Sequence, residues 1–442
     1  MSQSKGRKRP DDRTPVRATG RAAWAFLLGV GLACLATGVV IGRGSMRSMP
    51  AGSPASPAPA VAHPPPDRPV ASFEDPRVRT FLGTRGPWGR LRYTRMVIEP
   101  PREFFRGHVR FDSDSRWFFP GMSPADIEAF LETVPLSAEQ RRTISKAPRE
   151  PADDGIWVDP PEELVLALEP AARARIYALL ARSVRNAQRS PIAVRVPLLE
   201  ERIAKSGLAP EITGLFRRLL YGEGRWRFFS DLPLLAARLP DPEDQERLAG
   251  MLSASQTFLV SLRIDEDSDV DTLVDYWRVG PRSRDVEPII TSLSRYPGGY
   301  ELDISHFLPP FARRRLFTFE EMGLEEDPGH DCYWSAINFF HEIPDARVFE
   351  AGSFKEELER AYVAVAEEDL RLGDVVAYFD DRDLPVHASS FIADRIVFTK
   401  NGRNALHPFM FMRMDSLFEL YQTTFAGISA LTVKAFRLRE DL

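Results

Sequence analysis

The chain has 442 residues and a formal net charge of −5 at pH 7, with 27% charged and 43% hydrophobic residues. That length exceeds one ordinary core and implies two or three domains. An acidic balance whose basic excess sits in one short arm excludes nucleic acid as a partner of the bulk of the chain, and two cysteines exclude a disulfide framework.

The chain opens with a basic arm, residues 1–21, in which Lys5, Arg7, Lys8, Arg9, Arg13, Arg17 and Arg21 stand against Asp11 and Asp12. The arm carries +5, which leaves −10 for the part after Gly42. Residues 22–42 follow without a single charge. At about 1.5 Å rise per residue this stretch spans a hydrocarbon core of roughly 30 Å. It is longer than the apolar core of a cleaved signal, and the Ala-x-Ala sites at 58–60 and 60–62 lie far downstream, so it reads as an uncleaved single-pass anchor. The positive-inside bias places the N-terminus in the cytoplasm and the remainder outside, which for a bacterial inner membrane is the periplasm. Residues 43–70 form a Pro/Ala-rich linker, with eight prolines between Pro50 and Pro69, that favours extended polyproline II over any core.

Residues 71–252 are expected as a mainly helical domain. A strand is predicted at 91–98. Ser123-Pro124-Ala125-Asp126 then supplies a Ser cap, a Pro at the first helical position and an acid in the first turn. Further helices are predicted at 137–146, 161–167, 170–186, 198–206, 209–221 and 241–252, with apolar stripes at core spacing. Residues 253–320 are expected as a small α+β connecting subdomain: a strand at 257–264, helices at 270–277 and 285–293, and a strand at 300–304. With Asp271-Thr272-Leu273 opening its first helix, this unit is faintly similar to a LysM glycan-binding module; a connecting role without separate function is the other reading. The acidic run 265–271 lacks the Gly and the distal Glu of an EF-hand loop and reads as a solvated loop capping the next helix.

Residues 321–442 carry the chemistry. Cys332 lies in Asp331-Cys332-Tyr333-Trp334-Ser335-Ala336-Ile337-Asn338-Phe339-Phe340, at the start of an apolar helix. Its one fellow cysteine, Cys34, lies in the anchor, so no intrachain disulfide is expected. In the first turn of a helix, free N–H groups and the dipole are expected to lower a thiol below its usual value of about 8.5. Ser353-Phe354-Lys355-Glu356 reads as a capping box opening the next helix. Leu370-x-x-Gly373-Asp374 turns into a strand at 375–379, and His387 opens a second strand at 387–393. Asp394-Arg395 connects it tightly to a third at 396–400. No spacing fits a zinc site, including His330, Cys332 and His341, and no phosphate loop or dinucleotide fingerprint is present; neither a metal nor a cofactor is expected.

Asp-Cys at a helix start, Leu-x-x-Gly-Asp before a strand and His opening the next strand are together similar to the NlpC-type cysteine peptidase superfamily, over roughly residues 327–430. The resemblance implies a papain-like C-terminal domain with an antiparallel sheet; with the one transmembrane helix and the mainly helical middle read above, the chain is expected to be α+β. It implies Cys332 as nucleophile and His387 as general base, cleaving an amide bond in peptidoglycan stem peptides. Tyr333 and Trp334 stand where the superfamily usually has Ser-Gly, and its upstream Tyr and Gly-Gly have no counterpart in 324–329. The residue that orients the base is sought among Thr399, Lys400, Asn401 and His407, with Asn401 preferred because an amide oxygen can hold an imidazole. The alternatives are a non-enzymatic envelope scaffold or sensor with a retained hydrolase-like shell, and a Cys/His acyltransferase.

Overall fold

The computed structural model describes residues 78–105, 115–278, 284–320, 330–347 and 349–439. The expected arm, anchor and linker lie outside the described residues, among which no helix is long and apolar enough to cross a membrane.

The first strands, β1 (Thr80–Leu82) and β2 (Arg90–Ile98), are followed by β3 (Trp117–Pro120). Two short helices come next, α1 (Pro124–Glu132) and α2 (Ala138–Lys146), each begun by a capping box: Ser123 with Asp126, and Ser137 with Gln140. A hairpin of β4 (Arg149–Ala152) and β5 (Gly155–Val158) pairs with β3 to make a three-stranded sheet inside the region expected to be mainly helical. Four-residue strands are too short for their alternation to stand out from the neighbouring helical stripes.

The helices α3 (Glu162–Ala167) and α4 (Pro170–Leu180) follow. The predicted helix 170–186 ends early because Asn186 captures its terminus. The Asn186 amide donates to the carbonyls of Leu180 (2.9 Å) and Phe118 (2.8 Å), and its oxygen accepts from the Phe118 N–H (2.9 Å). The chain continues through β6 (Ile192–Arg195), α5 (Val196–Ser206), α6 (Pro210–Leu219), β7 (Trp226–Phe229), α7 (Leu232–Ala236) and α8 (Pro242–Ser253), with β6 and β7 paired antiparallel.

Then come β8 (Ser255–Ile264), α9 (Val270–Trp277), α10 (Val286–Ser294), β9 (Tyr300–Asp303) and α11 (Pro310–Arg315). Asp269 caps α9, accepting from the Thr272 N–H at 3.1 Å, as the acidic run suggests. The strand–helix–helix–strand unit is not free-standing. Its β8 pairs along its length with β2, giving the sheet order β1-β2-β8-β9. The segments expected as separate domains on either side of residue 252 therefore share one sheet.

The C-terminal part contains α12 (Cys332–Ile337), α13 (Ala351–Ala361), β10 (Tyr362–Val365), β11 (Val375–Phe379), β12 (Pro385–Ala393), β13 (Ile396–Lys400), β14 (Phe409–Arg413), α14 (Met414–Thr424) and β15 (Thr432–Leu438). Here α13 starts two residues before the predicted box, with Glu350 as the cap and Ser353 as its third residue. The strands form an antiparallel sheet in the order β10-β15-β11-β12-β13-β14. Asp394 and Arg395 turn from β12 to β13 with φ of 44° and 62°. That left-handed pair is held from outside: the Asp394 carboxylate accepts from the Tyr93 hydroxyl (2.9 Å) and the Thr84 N–H (3.1 Å).

The apolar cores cross the expected boundaries. One joins Ile127, Ile176 and Tyr177 to Tyr378, Met412 and Tyr421, and another joins Tyr93, Leu262 and Trp277 to Trp334, Phe398 and Phe411. Within the first, the fully buried Arg173 donates to Asp231 (2.6 Å) and to the Val165 carbonyl (2.7 Å), and the Tyr177 hydroxyl donates to the other oxygen of Asp231. Removing one partner of such a pair strands a buried charge, at a cost of about 3–5 kcal/mol. Asp231→Ala is expected to lower stability in chemical denaturation by that order, whereas the apolar double variant Arg173→Met/Asp231→Leu recovers most of the loss.

Candidate functional site

The turn into β11 sets the position of the cysteine helix. Gly373 has φ of 91°, and a Cβ there would lie 1.9 Å from Cζ of Phe340, just beyond α12. Only glycine lets the end of that helical segment rest on the turn. The neighbouring Asp374 accepts twice from Arg437 of β15 (2.9 and 2.8 Å) and once from the Arg371 N–H (2.8 Å). The Leu370-x-x-Gly373-Asp374 pattern is thus a scaffold that fixes the helix against the sheet.

Asp331 caps α12 through the Trp334 N–H (3.0 Å), and Cys332 is the first helical residue. The Cys332 side chain packs with Ala336, Ala377 and Ala388, and its Sγ faces the N–H groups of Ala388 and Tyr333. Only 5% of the residue is exposed. The expected lowering of the thiol does not occur. Burial, then the Asp331 carboxylate, pushes it up to about 12, against the opposing pull of Arg189. A helix of six residues has little dipole to set against full desolvation.

His387 is one position before Ala388, and strand alternation sends its side chain to the other face. There it stacks on Tyr421 (ring centroids 4.2 Å apart) and on Tyr378 (5.7 Å). No hydrogen bond joins it to Cys332. Its Nε2 meets the Thr399 hydroxyl at 3.0 Å, and the Thr399 hydroxyl donates to Oδ1 of Asn401 at 3.2 Å. A hydroxyl has one proton, so Thr399 accepts from Nε2–H, and the imidazole carries its proton on Nε2. Its Nδ1 is then a bare lone pair, buried and without a partner among the described residues. Burial, and secondarily the charge of Arg189, holds the imidazole well below the usual histidine range, so it is neutral at pH 7.

The residue in contact with the imidazole is therefore Thr399, not the preferred Asn401. Both lie on the same face of the chain leaving β13, but Thr399 stands one pleat nearer. Asn401 acts through it, and its amide donates to Sδ of Met412 (3.2 Å). Lys400, between them, points to the opposite face, fully buried, and pairs with Glu320 at 3.2 Å. Burial alone would raise Glu320, but the hydrogen bond from His330 (2.6 Å) and the Lys400 charge outweigh it and keep it low. His407 is buried and lines a cavity that Asn401 and Tyr421 also line. His330 is committed to Glu320, and His341 to Asn338 at 2.9 Å.

Two participants escape sequence reasoning. Arg189, from the single turn at 187–189, donates to the Tyr333 hydroxyl (2.8 Å) and the Ala181 carbonyl (3.3 Å) and sits close enough to polarise Cys332, Tyr421 and Asp331. Tyr421, on α14, looks in sequence like any core aromatic. Beside them, Ser190 lies against Gly402, whose added Cβ would meet Oγ of Ser190 at 2.1 Å. The middle region thereby closes over the residues after β13.

No protein-family model, no curated protein and no solved structure matches this chain.

Two outcomes follow. In a Cys34→Ser background, Asp331→Asn keeps the cap and removes the charge that disfavours the thiolate. Its alkylation rate at pH 8 is expected to rise severalfold, while Arg189→Gln lowers it; equal rates in all three proteins would refute this account of the electrostatics. Second, His387 is held low and His407 is pushed down to about 3, in both cases chiefly by burial. Between pH 6.5 and about 3 the unfolded chain binds protons that the folded chain does not, so stability falls as pH falls. Each histidine contributes about 1.4 kcal/mol per pH unit while its folded form stays neutral. Denaturation against pH should show a shallower fall in His407→Asn.

Proposed function

We propose that the chain is a membrane-anchored, extracytoplasmic cysteine hydrolase acting on an amide bond, with Cys332 as nucleophile, His387 as general base and Thr399, backed by Asn401, orienting the base. The observation that carries this reading is the imidazole: one nitrogen is fixed by a hydroxyl–amide relay, while the other is a buried, unpaired proton acceptor. An orphaned buried nitrogen costs about 1–3 kcal/mol and serves no packing purpose, but it is what a general base needs. Close by, Cys332 is held against the N–H of the very next residue, Ala388.

The thiol and imidazole are both neutral at rest, so no preformed ion pair is involved. As Sγ bonds to the carbonyl carbon, its proton passes to Nδ1. The imidazolium then protonates the departing amine as the C–N bond breaks, and water releases the acyl group from sulfur, restoring the thiol. Cys332 and His387 lie on opposite faces of β12 and share no contact, so this transfer requires the start of β12 to bring the imidazole to Sγ when substrate binds. The anchor and the resemblance of 327–430 together favour peptidoglycan stem peptides as substrate.

A second reading rests on the closed state of the thiol: buried, with its pKa raised and not bonded to the imidazole, Cys332 also suits a scaffold or sensor with a hydrolase-like shell. Chromatography of muropeptides separates the two. Time-dependent cleavage by the wild-type chain is expected, falling at least about a thousandfold in Cys332→Ser and in His387→Ala and about tenfold to a hundredfold in Thr399→Val. Cleavage unchanged in Cys332→Ser would sink the nucleophile assignment, and no cleavage at all would favour the scaffold.

A further inference from the structure

On the side of the C-terminal sheet away from Cys332, the middle region and the sheet enclose a cavity of about 70 Å³ between β6, α5, β14 and α14. Its apolar walls include Leu198, Trp226, Met410 and Met412. Its charged lining is all of one sign: Arg195, Arg202 and Arg413, with no Asp or Glu. Arg413 is matched by Asp415 at 3.0 Å, and Arg195 lies over the Trp226 ring at 5.4 Å. Arg202 differs. Among the described residues it makes no hydrogen bond and no ion pair, and its guanidinium is pulled down to about 10 by burial, with Glu99 and Glu201 opposing. Such a half-buried guanidinium beside an apolar cavity holds its donors free for an anion, and a carboxylate fits them in pairs.

The second polar group is His407, 8% exposed, whose Nδ1 has no partner among the described residues. The Asn401 carbonyl engages the ring, which assigns the proton to Nε2 and leaves Nδ1 as a hydrogen-bond acceptor. A ligand that satisfies both groups therefore brings a carboxylate for Arg202 and an N–H for His407. The space is about half that of the ~150 Å³ cavity known to take benzene, enough for a methyl or a slightly larger group.

We infer that this cavity binds the free carboxyl end of a peptide whose last side chain is small and apolar: the carboxylate on Arg202, the last amide N–H on Nδ1 of His407, and the side chain among Leu198, Trp226, Met410 and Met412. This assignment uses neither Cys332 nor the hydrolase reading. Asn401 also lines the cavity, so an occupied cavity abuts the relay that holds His387.

The test is ligand-observed saturation-transfer NMR on the full chain in detergent, titrating each enantiomer of N-acetylalanine, its primary amide, and butyrate. At least one enantiomer of N-acetylalanine is expected to saturate at a concentration at least tenfold below those of its amide, which lacks the charge, and of butyrate, which lacks the N–H. Arg202→Gln is expected to weaken it at least tenfold. Ala193→Leu, which fills the cavity without touching either nitrogen, is expected to abolish it, with melting of both variants unchanged. His407→Phe should bring N-acetylalanine and butyrate to equal affinity. No saturable binding, equal binding of acid and amide, or wild-type binding by Arg202→Gln would overturn the proposal. Butyrate binding as tightly as N-acetylalanine would overturn the peptide assignment in favour of any small carboxylate.

Discussion

Burial of β12 on both faces is the constraint from which the site follows. All nine of its residues are buried, with β11 and β13 on its edges, α12 over one face and Tyr421 of α14 over the other. A strand in that position has no solvent face on which to place a polar side chain, so every polar group it carries must be matched inside the protein. Alternation then allots Ala388 to the cysteine helix and His387 to the tyrosines. The imidazole can be satisfied only by its own sheet, through Thr399. The orphaned Nδ1 and the sequestered thiol both result from this arrangement.

The electrostatics turn on the same burial. A cysteine at a helix start is expected to be acidic, and with a long helix and open solvent that expectation holds. Here α12 is six residues long, its cap is a carboxylate, and almost no water reaches Sγ. Desolvation wins and the thiol is neutral. Burial also raises the Asp331 carboxyl, opposed by the Trp334 N–H and the charges of Arg403, Lys400 and Arg189. Three cations are set around the one carboxylate beside the thiol, an arrangement costly enough that an apolar core would be the simpler solution if packing were all that was needed.

Much of this was legible in the residues themselves. The caps at Ser123 and Asp269, the strands at 375–379 and 396–400, the helix at 270–277 and the tight Asp394-Arg395 turn all rest on local signals: side-chain caps, short apolar runs bounded by turn residues, and turn chemistry. Gly373 was visible as part of a pattern, but its purpose, the close approach of Phe340, was not. The short strands of the middle region, the early end of α4 at Asn186 and the pairing of β2 with β8 were not visible, because each depends on a partner far along the chain.

Taken alone, the sequence determined that Cys332 begins a helix and that His387 opens a strand followed closely by another, since these follow from short-range periodicity, capping and turn residues. Tertiary structure decided the rest. It set which face His387 occupies relative to the thiol, that Thr399 is the residue that touches it, that Arg189 arrives from 143 residues upstream of Cys332, and that Arg202 and His407 meet across one cavity. The physical reason is that charge, burial and hydrogen-bond partnership belong to the space around a residue. That space here is built from segments whose pairing no local pattern encodes.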